Sequence, residues 1–574
     1  MNNQDIAEIF RQIAEILEIQ GENTFRIRAY QKAAQNIAAL EKDVAEIAKE
    51  GRLQEIPGIG KDLDEKIKEM LATGRLTFYE ELKDSIPEGL TLLMAIPGVG
   101  PKTAKLLYDK LNVKNIKDLE KAAREHKLSA LPGIKQKTEE NILQGIELIK
   151  KAQQRMSLNQ AIAVAESFII PLKKLKVVRE IQLAGSLRRK KDTVRDIDIL
   201  ITSGQPSKVM AVFTGLPPVA TVQAKGETKA SVRTKEGIQV DVRVVPPKSF
   251  GAALLYFTGS KEHNIKLRQL AIRAGLKINE YGLFKHKLRL AGKTEQEMYK
   301  KLGLAYIEPE LREDRGEIEA SLDNTLPTLV ELKDIRGDVH VHSNWSDGNV
   351  RIEDLAKQAQ RKGYRYIAIC DHSQSIKIAN GLSIERLKRQ IDFIHTYNKR
   401  LKNFQILTGS EVDIKSDGSL DYPDSILKEL DVVVAAIHSG FKQPREQITK
   451  RMLAAINHPL VTTIAHPSGR LIGQRPPYEL DMAQVLDAAG RSGTFMEISS
   501  FPDRLDLIDT NCHLAKERGV KVAISTDTHQ IEHLDFMPLG VAVARRGWLE
   551  KVDVANTLTL QGFLVEVNKK RKHG

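Results

Sequence analysis

Beyond residue 336, short runs rich in β-branched residues recur with room for a helix between them: YIAIC (366–370), FQILTG (404–409), DVVVAAI (431–437), VTTIAHP (461–467), FMEIS (495–499) and VKVAIST (520–526). Strands joined through crossover helices satisfy that alternation, so this region is expected to build a parallel sheet or barrel. It also holds 11 of the 14 histidines. Asp338-Val-His340-Val-His342 sets two imidazoles on one strand face, since side chains two apart share a face. Asp347, Asp371-His372, Glu411, His438, His466-Pro467 and Asp527-Thr-His529 follow, most of them closing an apolar run. In a barrel such positions converge at the C-terminal ends of the strands. A convergent set of imidazoles and carboxylates is a metal-binding arrangement, whereas a lone histidine is usually packed or solvated. Mixed nitrogen and carboxylate ligands suit Mn²⁺, Zn²⁺ or Fe²⁺ better than Mg²⁺. Glu497, at another strand end, is a candidate to orient one of these ligands; its alternative is a buried pair with an arginine.

Residues 1 to about 150 have a different pattern, helices broken by short Gly-rich turns. Ile56-Pro57-Gly58-Ile59-Gly60 and Ile96-Pro97-Gly98-Val99-Gly100 nearly repeat each other, and Leu131-Pro132-Gly133-Ile134 is a degenerate third copy. Amphipathic segments KDLDEKIKEML and PKTAKLLYDKL follow the first two. The glycines let backbone N–H groups crowd at a helix N-terminus, where a phosphate is favoured and no base is read. Gly58, Gly60, Lys61, Gly98, Gly100 and Lys102 are therefore candidate contacts to a DNA backbone.

Between about 151 and 315, strands and helices mix: EIQLAGS, RDIDILI and IQVDVRVVP have strand patterning. Asp196 and Asp198, two apart, project together, and such a pair repels itself unless a cation neutralises it. Asp241 lies in another strand-like run with Arg243 on its face. Three carboxylates can hold two Mg²⁺ ions, one acting on an attacking hydroxyl and one on a leaving phosphate. Ser186 and Arg189, in Gly185-Ser186-Leu187-Arg188-Arg189, could neutralise a phosphate tail. Residues 316–335 read as a polar linker with enough apolar residues to pack. The ending KKRKHG reads as a solvated basic tail.

Composition bounds the rest. A chain of 574 residues suggests three or four domains, and 41% hydrophobic with 28% charged residues excludes a mainly disordered or collagen-like chain. No stretch approaches the roughly 18 apolar residues of a membrane span. The start, MNNQDIAEIFRQIAEILEIQ, lacks the features of a signal peptide and has helical spacing instead. Two cysteines, Cys370 and Cys512, make no disulfide framework, so a cytoplasmic home is expected. Lysine and arginine outnumber acids 88 to 75, a net charge of +13 that points to a polyanionic partner.

The hairpins resemble helix-hairpin-helix motifs, and the GS-x-RR…DxD…Asp241 constellation resembles the nucleotidyltransferase palm of family X DNA polymerases, the polymerase β group. The likeness continues in GETK (226–229), YFTGS (256–260), Asn264, Arg268 and INEYGL (278–283). The histidine-rich region resembles the PHP (polymerase and histidinol phosphatase) domain. This order of parts resembles the PolX type of bacterial and archaeal family X polymerases. It implies a multidomain α+β and α/β chain: a helical domain with the first hairpin (1–83), a second hairpin subdomain (84–150), a palm (151–247), a C-terminal polymerase subdomain (248–315), a linker (316–335) and a PHP distorted (βα) barrel (336–574).

The resemblance implies that Asp196, Asp198 and Asp241 hold metal. Ser186 and Arg189 would contact the nucleotide's triphosphate, Tyr256 and Phe257 would flank its sugar, Asn264 and Arg268 would meet the base and template, and Gly185 and Gly259 would belong to the same nucleotide site. Arg243 would contact DNA. Lys66 matches a lyase lysine, but Glu55 and Asp62 stand where relatives carry supporting lysines, and acids there would raise rather than lower an amine pKa. In the PHP part, His340, His342, Glu411 and Asp527 would hold one metal, and Asp347, His372 and His529 a second. Glu411 would bridge to a third held by His438 and His466. Asp347 stands where some relatives have histidine, which favours Mn²⁺. Gapped or primer-template DNA, dNTPs, Mg²⁺ at the palm, and up to three Mn²⁺ or Zn²⁺ ions at the barrel are the implied partners. A monomer acting on nucleoid DNA in base excision repair is the implied setting. The rival readings are a DNA-end-binding scaffold without catalysis and a PHP half acting as a small-molecule phosphatase.

Overall fold

The computed structural model describes all residues except 1–2, 39, 41–43, 87–89, 91–92, 95, 97, 154 and 574; Pro97 of the second hairpin thus lies outside the described residues. The N-terminal region is helical and has two cores. Helix Asn3–Gln20 buries Ile6, Ile13, Ile16 and Leu17, its helically spaced apolar residues, in a core shared with helices Thr24–Ala38 and Lys61–Thr73. A separate core gathers Pro101–Leu111, Ile116–Arg124 and Gln136–Gln153. All three Gly-rich turns close identically, with Ile59 N–H donating to Ile56, Val99 to Ile96 and Ile134 to Leu131. Gly58 and Gly98 sit at φ +88° and +95°, a conformation that side chains disfavour.

A short ladder pairs β1 (Met156–Ser157) with β3 (Thr193–Val194). The five-stranded palm sheet runs in the order β2 (Val178–Leu183), β4 (Asp196–Ser203), β7 (Gln239–Val244), β6 (Lys229–Thr234), β5 (Val219–Lys225). Only β4 and β7 run parallel within it, and their register sets Asp198 opposite Asp241. Three short antiparallel strands, β8 (Lys277–Asn279), β9 (Gly282–Lys285) and β10 (Leu288–Ala291), follow helices Phe250–Thr258 and Lys261–Arg273.

The C-terminal region contains seven parallel strands in sequence order: β11 (Gly337–Val341), β12 (Tyr366–Ile369), β13 (Gln405–Asp413), β14 (Val432–Ala436), β15 (Thr463–Ile464), β16 (Phe495–Ser499) and β17 (Val522–Ser525). Val341 bridges to Thr528 in parallel, with His342 N–H donating to the Thr528 carbonyl at 2.8 Å, so the first and last strands meet and the barrel nearly closes. Successive residues alternate between two cores. Tyr366, Ala368, Val432, Val434 and Ala436 pack with Phe563 in one, while Ile367, Ile369, Val433 and Ala435 join the other. The same two-residue phase carries Glu411, Glu497 and Asp527 from Leu407, Phe495 and Ala523 into the barrel mouth.

Residues 316–335 pack, as their apolar residues suggest: helix Glu317–Leu322 buries Glu317, Ile318 and Ser321, and Glu317 accepts from His263 at 2.5 Å. One expectation is corrected. The basic ending, in contrast, is not a solvated tail, because helix Leu560–His573 runs through it. Lys570 is buried there, its Nζ donating to the carbonyls of Ile456 and Val461 and to the Thr494 hydroxyl at 2.6–2.8 Å. Lysine satisfies three acceptors where an apolar side chain would strand them. Lys570→Met is therefore expected to cost about 1–3 kcal/mol, read as faster hydrogen exchange in helix 560–573.

Candidate active sites

In the palm, Asp196 and Asp198 share a face of β4, and Asp241 lies beside Asp198 on β7. Burial, then the charges of Asp196 and Asp241, push the Asp198 carboxyl up to about 7. Asp241 accepts from Ser231 Oγ and from Gln239 Nε2. Gly185 opens the turn beneath them at φ +62°, and a Cβ there would stand 2.5 Å from Asp198 Oδ2, so the loop can press on the carboxylates only as glycine. Arg243 lies 4.5 Å over the Phe257 ring, which in turn meets Tyr256 edge-on, so Arg243 belongs to the site wall. Asn264 Nδ2 donates to the Tyr256 and Gly259 carbonyls, and Arg268 Nε to the Asn264 carbonyl. Tyr256, Asn264 and Arg268 line one small apolar pocket with Leu255 and Ile278.

Arg189 differs from the expectation of a guanidinium open to a triphosphate. Its Nε donates to Glu313 at 2.9 Å and its Nη1 to the Thr258 carbonyl at 2.7 Å. Ser186 stands at the turn with its side chain partly exposed. In the hairpins, Gly58, Gly60, Lys61, Gly98, Gly100 and Lys102 are all exposed. Lys66 is ion-paired with Asp62 and lies 5.1 Å over the Phe78 ring.

The barrel mouth gathers every expected ligand. His340 and His342 bring their Nε2 atoms to 3.1 Å, and each stands 3.5 Å from Glu411 Oε2. Asp527 Oδ1 is 3.2 Å from His342. Asp347 lies 3.4–3.5 Å from His529 and His372. Glu411 Oε1 meets His438 at 3.1 Å and His466 at 2.9 Å. The grouping is more shared than expected: His342 also faces Asp347 at 3.8 Å, and His372 also reaches Glu411 at 2.9 Å, so each belongs to two clusters. The groups fit bound cations. Among the described residues Nδ1 of His342 is buried without a hydrogen-bond partner, and burial next to His529 and His372 holds His342 down at about 4. A buried imidazole that stays neutral, set among carboxylates and further imidazoles, is a donor for metal.

Supporting contacts fix these ligands. Glu497 accepts from His340 Nδ1 at 2.7 Å, which turns Nε2 toward the cluster, and also takes the His466 N–H. Its partner is this ligand and not an arginine. Asp413 meets His438 Nδ1 at 3.3 Å and was missed, although its spacing from Glu411 in EVD carried the signal. Asp371 is not a ligand: Ser343, Ser346 and Gln390 donate to it. The cleft above the cluster holds about 600 Å³ and is also lined by Lys377, Arg475 and Arg504, loop cations that no sequence spacing announces.

Family models match four stretches of the chain: a helix-hairpin-helix domain (1–76), a SAM-like helix-hairpin-helix tandem (90–147), a DNA polymerase beta thumb (253–313) and a PHP domain (338–501). The DNA polymerase/3′-5′ exonuclease PolX of Bacillus subtilis is 40% identical over 568 residues, 98% of each chain. A "probable phosphatase" of Thermoanaerobacter sp. is 32% identical over 41% of this chain and 96% of its own. Rat DNA polymerase lambda is 27% identical over 54% of this chain and 56% of its own. Among the described residues no helix is long and apolar enough to cross a membrane. With the palm carboxylates, the hairpins and the barrel cluster on one chain, and 40% identity over nearly the whole length of such an enzyme, the chain belongs to the PolX type of family X DNA polymerases.

Proposed function

We propose that this chain fills short gaps in DNA, adding dNTPs to a primer 3′ end at the palm, and trims 3′ ends by phosphodiester hydrolysis at the barrel. The setting is base excision repair, with abasic-site cleavage as a further task of the barrel. One observation carries the reading: Asp198 and Asp241 are register partners on parallel strands, with Asp196 on the same face. When bound, Mg²⁺ at that triad and Mn²⁺ or Zn²⁺ at the barrel cluster supply Lewis-acid polarisation of phosphate oxygens.

The rest is done by side chains. Gly185 and Ser186 receive the triphosphate, Tyr256 and Phe257 flank the sugar, and Asn264 and Arg268 meet the base and template. The exposed hairpin glycines with Lys61 and Lys102 grip backbone phosphates on either side of the gap. In the barrel, Glu497 orients His340 and Asp413 orients His438, while Arg475 and Arg504 receive the scissile phosphate. Lys66, neutralised by Asp62, is a poor Schiff-base amine. The chain works as a monomer.

The similarity to a phosphatase favours a second reading, a barrel that takes small phosphomonoesters. Both are tested with a 5′-labelled primer on one-nucleotide-gapped DNA in Mn²⁺. Extension with dNTPs, shortening without them, and loss of both in chelator are the expected results. Histidinol phosphate that competed with shortening would favour the phosphatase. Salt-sensitive binding with no turnover in Mg²⁺ or Mn²⁺ would leave a DNA-end scaffold.

A further inference from the structure

The loop after helix Gly185–Arg188 is held by the barrel, through bonds that neither site needs for its own chemistry. Arg546 ends the barrel helix Met537–Arg546 and is 3% exposed. Its Nη1 donates to the main-chain carbonyl of Arg189 at 2.8 Å and to Glu313 at 3.0 Å, and its Nη2 pairs with Asp509. Glu313 is the carboxylate that also takes Arg189 Nε. A second barrel arginine, Arg470, donates Nη1 to Asp192 at 3.0 Å. Its other nitrogens are fixed by the carbonyls of Arg504 and Leu505, both at 2.7 Å.

Two arginines from one domain thus clamp Arg189 and Asp192 of another. The clamped segment is short, a helix of four residues opened by Gly185 at φ +62° against Asp198, and beyond its own turn bonds and the anchoring of Arg188 on Glu295 it is these barrel contacts that fix its far end. A buried guanidinium is costly unless all its partners are placed, so Arg546 fixes the Arg189 carbonyl as firmly as it is itself fixed. Binding sites need such support, since a small misplacement of a positioning group is expensive in transition-state terms.

We propose that the barrel is a working part of the polymerase nucleotide site: Arg546 and Arg470 are positioning residues that, through the Arg189 carbonyl and Asp192, hold the Gly185–Ser186 turn in the geometry that receives the dNTP triphosphate. The inference rests on the reading of that loop as the triphosphate site. Removal of PHP metal ligands would leave this role intact, whereas removal of the two arginine clamps would weaken nucleotide binding in a domain that neither arginine belongs to.

The test is single-nucleotide insertion on gapped DNA by the full chain as wild type, Asp192→Asn, Arg546→Lys and Arg546→Met. Asp192 is partly exposed and outside both reaction centres, so Asp192→Asn keeps the test decisive where Arg546→Met fails to fold. Expected is a rise in KM for dNTP of about fivefold or more in Asp192→Asn and Arg546→Met, with kcat and 3′ shortening unchanged, and partial recovery in Arg546→Lys. A wild-type KM in Asp192→Asn and in folded Arg546→Met would overturn the proposal, as would loss of kcat and shortening together in Asp192→Asn. A wild type that shortens DNA but never extends it would instead remove the polymerase reading on which the proposal stands.

Discussion

Asp198→Ala is expected to abolish primer extension, by about 10³-fold or more, while leaving 3′ shortening intact, and His340→Ala is expected to do the reverse. Asp198 lies beside both other palm carboxylates, whose charges act on it, so its removal takes away the centre of the ligand set. Loss of a metal ligand forfeits several kcal/mol of transition-state stabilisation, and each 1.36 kcal/mol is tenfold in rate. His340 sits between Glu497 on one nitrogen and His342 and Glu411 on the other, so it ties the orienting carboxylate to the cluster. Glu497→Gln touches no metal but frees the His340 ring, and a loss of about 10–100-fold in shortening is expected. All are read on the same 5′-labelled gapped substrate. Shortening that survived His340→Ala would mean that the nuclease lies elsewhere, and extension that survived Asp198→Ala would remove the palm assignment.

What could be read from the sequence follows the range of the rules involved. Asp196 and Asp198 are a local signal, two residues on one strand. So are His340 and His342, and the strand-end position of Glu411, His438 and Asp527, because a period of two and a run of β-branched residues fix a face and an end. The sharing of His342 and His372 between clusters is not local: it depends on how far β11 and β12 rotate around a nearly closed barrel. The pairing of Arg189 is invisible in the sequence because its partner, Glu313, lies 124 residues away. The pair of Arg470 with Asp192 spans 278 residues, and no periodicity links such positions. The ending KKRKHG has the composition of a solvated tail, yet the acceptors of Lys570 come from 76 to 114 residues upstream. Long-range acceptors decide whether a charge is buried, and composition does not contain them.

The same kind of distant pairing sets the second large effect. Glu295→Gln is expected to destabilise the subdomain of residues 250–313 by about 3–5 kcal/mol. Glu295 takes both Arg188 nitrogens at 2.7–2.8 Å and Arg312 Nη1, and Arg312 is fully buried. Among the described residues its guanidinium has one other bond, from Nε to the Ile307 carbonyl, and it lies over the rings of Tyr299 and Tyr306. Neutralising Glu295 therefore leaves a buried guanidinium without its counter-charge. Burial works against the Glu295 charge, but Arg188 and Arg312 outweigh it and hold the carboxyl down at about 2. A carboxyl lowered in the folded state adds stability that is fully present above its unfolded value of about 4.3 and is lost as pH falls toward 2. The stability gap between wild type and Glu295→Gln is thus expected to be constant from pH 6 to 8 and to shrink between about pH 4 and 2. Urea unfolding with hydrogen exchange in helices 250–258 and 295–301 follows the affected unit without the barrel's contribution. A gap below about 1 kcal/mol at neutral pH, or one that does not move with acid, would mean that the aromatic rings and the Ile307 carbonyl suffice to hold Arg312 and that the carboxylate adds little.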